Sequence, residues 1–368
     1  MNVLLSGMLG GVPGHGGATW AVLQYVLGLR RLGHEVRVVE PVASLDDATV
    51  AYFFAVVRRF ELDDVAALLD TSTGTAVGAG YDVLQRFADS ADLLVNVSGM
   101  LRDEGLRRRV PVQLYLDLDP AFNQMWFAAD GIDVGFDGHT HFATVGLGVG
   151  DAASRVPTCE RSWITMVPPV VLSEWPAGAP VERDAFTTVG NWRAYGSVVY
   201  QGVSYGQKAH SVRRFAGLPA KTRENLCMAL GIHPDETEDV KLLAENGWTI
   251  VDPGVVAGTP DDYRQFVAGS KGELGIAKSG YVDSQSGWFS DRSVCYLASG
   301  RPVVAQDTGF ARYLPTGEGL LAFEDENGAA ALLDEVGADY RRHSLGAREL
   351  AEDVFDSEKV LTRLLACL

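Results

Sequence analysis

The run MNVLLSGMLGGVPGHGGATWAVLQYVLGLRRLGHEVRVVE limits the fold more than any other stretch of the chain. Asn2–Ser6 is short, apolar and followed by glycines, as expected of a buried strand. Residues 7–17 make a Gly-rich loop, and Ala18–Leu32 carries apolar residues on nearly every face, which predicts a well-buried helix. Arg30 and Arg31 suit its last turn, where cations meet the negative end of the helix dipole, and Gly33 suits its C-terminal cap. Glu35–Val39 reads as a second strand. A strand, a helix and a strand joined this closely form a crossover with the two strands parallel.

The alternation continues along the chain. Strands are predicted at Leu93–Val97, Val112–Leu116 and Phe142–Val145, and helices at Leu62–Leu69 and Asp82–Ala88. Residues 173–184, SEWPAGAPVERD, combine prolines, a glycine and charges, and make the best linker. Beyond it, Phe186–Val189, Trp248–Val251, Glu273–Ala277 and Gly319–Phe323 read as strands. Lys221–Leu230, Asp239–Glu245, Pro260–Ala268 and Asn327–Val336 read as helices, and Ser357–Leu368 as an amphipathic one. The expected fold is α/β, with two Rossmann-like doubly wound domains at residues 1–172 and 185–350 facing across a cleft. Residues 351–368 are expected to pack back on the first domain. Ligands of such sheets bind at the carboxyl ends of the strands, here in the cleft.

A length of 368 residues suffices for two domains with ample core. No apolar run approaches the roughly 20 residues that span a bilayer. The opening MNVLLSGMLGG lacks a basic n-region and a long apolar h-region, so a first strand and a cytoplasmic location are expected. The cysteines, Cys159, Cys227, Cys295 and Cys367, lie far apart without CxxC spacing and predict reduced thiols rather than a zinc site. A net charge of −17 argues against broad nucleic-acid binding and requires that an anionic ligand be held by a local positive site.

Such a site is suggested by AKSGYVDSQSGWFSDRSVCYLASGRPVVAQDTGF, residues 277–310. Ser290 or Asp291 can cap a helix there, Gly300 can end it, Pro302 blocks its continuation, and Val303–Ala305 is a short buried strand. Arg292 falls in the first turn, where a cation opposes the helix dipole, so an anionic partner is expected; pairing with Asp291 or Asp283 is the plainer alternative.

These two segments resemble GT-B glycosyltransferases of the group 1 type. There, a Gly-rich loop precedes a long helix ending in a Gly-His-Glu-Val step, and a donor-side helix ends in Gly-x-Pro-Val before a strand. The remainder of the chain matches only in the order of its elements. The resemblance implies acceptor chemistry mostly on the first domain, nucleotide-sugar binding mostly on the second, and no obligatory metal. Many retaining members carry two glutamates before the Gly-x-Pro-Val step, and the corresponding positions here hold Gly287 and Cys295. Asp291, or the hydroxyls of Ser290 and Ser293, are the candidates to replace the missing carboxylate. Nucleotide identity and stereochemistry therefore stay open.

Sugar transfer requires a neutralised leaving diphosphate, held sugar hydroxyls and an oriented acceptor. Arg193, Lys208 and Arg292 are the diphosphate candidates, and Asp307 and Thr308, directly after a strand, the sugar-binding ones. His15 is the candidate base, oriented by Asp117 or Asp119, with Gly16 and Gly17 bringing backbone N–H groups against the donor. His139 and His141 are rival histidines and candidate acceptor contacts. Surface charges, an Asx-turn at Asp307 and structural histidines are the plainer alternatives. Trp126, Trp163, Trp192 and Trp288 suit the core as well as sugar stacking. Asp117-Leu118-Asp119 also spells the Asp-x-Asp of metal-dependent transferases, a short and weak signal.

The expected activity is hexosyl or deoxyhexosyl transfer from a nucleotide-diphosphate sugar, with no other cofactor, to a small molecule or glycan. A nicotinamide-dependent oxidoreductase is the first rival, because Glu40 ends the second strand like a ribose-binding acid; the long loop with Pro13 lacks a clean GxGxxG. A nucleotide-sugar epimerase and a catalytically silent sugar-nucleotide binder are the others.

Overall fold

Strands that are apolar on both faces need helices on both sides, and this chain meets that need twice. The computed structural model describes residues 1–194 and 196–368. Among them, one sheet contains β1 (Asn2–Ser6), β2 (Glu35–Val42), β3 (Ala66–Asp70), β4 (Ala76–Gly78), β5 (Leu93–Val97), β6 (Val112–Asp117), β7 (His141–Thr144) and β8 (Trp163–Thr165). Its order is β4-β3-β2-β1-β5-β6-β7-β8, parallel except for the β3–β4 edge. Val3 of β1 sits between Val36 of β2 and Leu93 of β5, so the winding reverses at β1. The Gly-rich loop leaves the carboxyl end of that strand, at the topological switch point.

The second sheet repeats the plan with β9 (Arg183–Asn191), β12 (Leu226–Gly231), β13 (Thr249–Val251), β14 (Ser270–Gly275), β15 (Val303–Gln306) and β16 (Leu320–Phe323). Its order, β13-β12-β9-β14-β15-β16, is parallel throughout and reverses at β9. A small antiparallel hairpin, β10 (Val198–Tyr200) with β11 (Val203–Tyr205), lies between β9 and the next helix.

Two seams join the halves on either side of the cleft. In one, the first helix, Gly16–Arg31, lies against helices Pro260–Gly269 and Ser357–Leu365, and Trp20 Nε1 donates to the Pro260 carbonyl at 2.8 Å. In the other, the Leu147 and Gly148 N–H groups donate to the Gly287 and Ser286 carbonyls at 3.3 and 2.9 Å. Gly287 has φ +70°, and a Cβ there would meet the Gly148 nitrogen at 2.4 Å. The position where the resemblance implies a glutamate is thus closed to any side chain by the seam itself.

Two segments expected as helices are strands. Leu62–Leu69 overlaps β3 and Lys221–Leu230 overlaps β12, both rich in Ala, Leu or Met and buried on both faces. Good helix formers end as central strands when the parallel sheet buries them from both sides.

Candidate functional site

The carboxyl ends of β1 and β9 face each other, and the loops that follow them meet the cleft differently. After β1, the Glu40 carboxylate accepts the N–H groups of Leu9, Gly10 and Gly11 at 2.9, 2.7 and 2.9 Å. Burial pushes the Glu40 carboxyl up, and the three amide donors pull it back. Its oxygens are committed to the loop, so it is not placed to hold a ribose. Gly16 donates its N–H to the Ala257 carbonyl at 3.0 Å, and a Cβ on Gly16 would lie 2.1 Å from the Thr259 oxygen. The expected anion-binding role of Gly16 gives way to close domain packing. Gly17 lies against the Tyr263 ring at the cleft wall, where a Cβ would come within 2.8 Å of it. His15 caps the first helix, exposed, with Nδ1 3.0 Å from the Pro13 carbonyl.

After β9 the charges are less fully satisfied. Lys208 opens the helix Lys208–Arg214 beside Gly190 and makes no hydrogen bond or ion pair with any described residue. Burial and the neighbouring Arg292 charge bring its ammonium down to about 7, against the pull of Glu273. Arg292 donates through Nε to Glu273 Oε1 at 2.6 Å and through Nη1 to the Val189 carbonyl at 2.9 Å. Burial works against its charge, but Glu273 keeps the guanidinium protonated. Glu273 is fully buried on β14, and its Oε2 has no hydrogen-bond partner among the described residues. Ser290 caps the helix Asp291–Ala298, accepting from the Arg292 N–H at 3.2 Å. Burial pushes the Asp291 carboxyl up, with Arg292 opposing.

The Asp-x-Asp pair separates in the fold. Asp117, at the end of β6, is fully buried and accepts from Asn123, Gln124 and Thr144 side chains at 2.9, 2.7 and 2.8 Å. It therefore holds local structure and does not orient His15. Asp119 reaches the cleft, where Lys278 Nζ lies 3.4 Å from both its oxygens and the Tyr281 hydroxyl donates to it. Burial pushes Asp119 up, and Lys278 and Tyr281 pull it down. The Tyr281 and Trp288 rings stack at 4.3 Å between centroids. Lys278, Tyr281 and the cleft-lining Asn191 were not singled out in the sequence. The signal that finds them is their position at the carboxyl end of β9 and just past that of β14.

Several other candidates lie elsewhere. Arg193 forks onto Glu236 at the exposed surface and lines neither cavity described below. Ser293 is buried in its helix. Asp307 accepts the Gly309 and Ala311 N–H groups at 2.8 and 3.3 Å, an Asx-turn, while the Thr308 hydroxyl donates to the Trp288 carbonyl at 2.6 Å. His141 begins β7 and His139 precedes it, so both sit at the amino end of the sheet, away from the cleft. The His139 ring is held by Asn96 and the Phe136 carbonyl, and burial beside Arg107 takes it down to about 4. Cys295 is buried under Gln24 of the first helix, whose Nε2 lies 3.7 Å from the sulfur, so a thiol occupies the second glutamate position.

What remains lines two adjoining cavities, each about 520 Å³. One is bounded by His15, Val189, Pro253 and Tyr263, the other by Lys208, Lys278, Asp119 and Trp288. They share Ala18, Gly190, Asn191, Asp291 and Arg292, so the cations stand at or beside the junction.

No protein-family model matches the chain, and no curated protein matches it. Solved structures do. HepE of Anabaena in complex with UDP is similar at 13% identity, with 100% of both chains covered and a TM-score of 0.57. An alpha-glucosyltransferase in complex with UDP-glucose and DNA containing an abasic site is similar at 12% identity, covering 99% and 98% of the chains, with a TM-score of 0.63. TarM is similar at 10% identity, covering 100% and 98%, with a TM-score of 0.60. Identities this low show the fold alone, and that fold is GT-B: two facing Rossmann-like domains.

Proposed function

We propose that the chain is a glycosyltransferase that moves a hexose or deoxyhexose from a nucleoside-diphosphate donor to a hydroxylated acceptor. The observation that carries this is Lys208, a cation without a partner among the described residues, set beside Arg292 where the two cavities meet. A diphosphate at the junction supplies negative charge to two cations that share the single carboxylate Glu273, and bonds from an ammonium and a guanidinium to phosphate are the strong, charge-assisted kind. The donor's nucleoside then occupies the cavity beside His15 and Tyr263, and its sugar the Lys208 end of the second cavity, with Ser290 and Asp291 nearby for hydroxyls. Side-chain cations do the work a divalent metal does in other transferases, so the proposal invokes no metal. Solved GT-B neighbours hold UDP or UDP-glucose, which supports the donor class.

A thermal-shift panel of UDP, dTDP, GDP, ADP, NAD and NADP tests it. A ligand at a hundred times its dissociation constant adds about 2.7 kcal/mol, or on the order of 5–10 °C for domains of this size. Stabilisation by one nucleoside diphosphate is expected. Stabilisation by NAD or NADP alone would overturn the proposal. Binding without transfer to any acceptor would leave a silent sugar-nucleotide protein.

A further inference from the structure

The Asp119 side of the cleft has a chemistry that the donor does not use. Its wall from the first domain is Met8, Val22, Val97, Met100 and Leu118. Its far end is aromatic: Tyr281 and Trp288 are stacked there, with the buried Phe122 ring behind them, edge-on to Tyr281 at 5.5 Å. Apart from Ser290, Asp291 and Arg292 and the groups around Lys208, the polar side chains lining this cavity among the described residues are Ser98, Asp119, Lys278 and Tyr281, and Lys278 and Tyr281 both already bond Asp119. Asn191 and Gln207 stand on the donor side, with Lys208.

A sugar acceptor carries a hydroxyl on almost every carbon, and each one buried without a partner costs about 1–3 kcal/mol. Among the described residues, this half of the cavity offers too few polar partners for that. An anionic acceptor would meet the Asp119 carboxylate, and Lys278, the cation beside it, is already bonded to Asp119. A flat apolar body matches the lining, with the ring pair at one end and aliphatic side chains along the wall.

Building on the glycosyltransferase function above, we propose that the acceptor is an uncharged, ring-containing apolar molecule presenting one reacting hydroxyl to Asp119. In the transfer, the acceptor oxygen bonds to the anomeric carbon. The bond from that carbon to the diphosphate oxygen breaks, and its electron pair leaves with the diphosphate toward Lys208 and Arg292. The hydroxyl proton passes to the Asp119 carboxylate.

The test uses the full chain with whichever nucleotide stabilises it. Umbelliferone and naphthol are the ring probes, and maltose and N-acetylglucosamine the sugar comparators. Binding in the presence of nucleoside diphosphate is read by saturation-transfer NMR, and transfer from the matching nucleotide sugar by mass spectrometry. Both ring probes are expected to bind and to gain a hexosyl group, with neither sugar modified. Transfer to a sugar overturns the acceptor class, as does failure of both ring probes to bind while the nucleotide binds. If no nucleotide binds, the transferase function itself falls, and that outcome is distinct. Trp288→Ala is expected to raise KM for the ring acceptor about tenfold with KM for the donor unchanged. Met100→Gln, on a half-buried loop residue, guards against a folding artefact and should move the same constant in the same direction.

Discussion

The two Rossmann-like halves share a strand order and use their first loops in opposite ways. In the first half, polar groups after β1 are bonded within the protein: Glu40 takes three loop N–H groups, and the Gly16 N–H goes to Ala257. In the second half, Lys208 has no partner among the described residues, and Glu273 Oε2 is buried without a hydrogen bond. Topology delivers both loops to the cleft, but the unsatisfied charges mark the side that waits for a ligand.

The largest effect should come from breaking the satisfied side. Glu40→Ala leaves three loop N–H groups without their acceptor, which at roughly 1–3 kcal/mol each, with partial rehydration, predicts a loss of about 3–5 kcal/mol. Urea denaturation reads it as a lower midpoint, while nucleotide affinity of the folded protein should change less than about threefold. An unchanged midpoint with lost NAD binding would make Glu40 a ribose ligand after all, and the comparison would collapse.

Removing the unsatisfied charge should do the reverse. Lys208→Met is expected to lower nucleoside-diphosphate affinity about 30–150-fold, the worth of a charge-assisted phosphate contact of about 2–3 kcal/mol. Thermal stability without ligand should hold or rise, because the variant removes a poorly solvated cation that no described side chain pairs. Calorimetric titration and a melting curve measure the two arms. A variant that melts early but binds normally would place Lys208 in the architecture.

The contrast between the halves was only partly legible in the sequence. The opening βαβ unit was readable because Asn2–Ser6, the helix and Glu35 onward each carry their own periodicity and caps, and they appear within a few residues of the expected bounds. The places of Ser290 and Arg292 were legible as the cap and first turn of a helix, whereas nothing in the sequence announced the helix that Lys208 opens. The Asp119–Lys278 pair was not, since its members are 159 residues apart and meet only when the domains face. Nor could residue type reveal that Gly287 is held open for the Gly148 backbone, or that Glu40 is consumed by its own loop. Whether a charge is already paired is a tertiary fact.

The next effect is a proton. With Lys208 brought down to about 7, the folded state gives up that proton well below the ordinary lysine range. The unfolded chain then binds more protons between pH 7 and the normal lysine value, so this group costs stability below pH 7, and that cost fades as pH rises through the window. Diphosphate favours the charged form, so binding at pH 8 should take up close to one proton and weaken up to about tenfold relative to pH 6. Calorimetry in buffers of different ionisation enthalpy measures the uptake. Its persistence in Lys208→Met would assign the proton to another group.

The smallest expected effect isolates the buried acid between the cations. Glu273→Gln keeps an oxygen to accept from Arg292 Nε but removes the carboxylate charge that offsets Arg292 and Lys208. The two cations then repel without compensation, and Lys208 should lose its proton at lower pH than in the parent protein. Nucleotide affinity should fall only about three- to fivefold at pH 7, a change of about 1 kcal/mol, with a larger loss at pH 8 and recovery toward the parent value at pH 6. A loss that is the same at every pH would mean that Glu273 serves only to position Arg292. A loss that grows with pH shows that one buried carboxylate sets the charge of the donor-side loop, for which the first half has no counterpart because Glu40 is fixed on neutral amides.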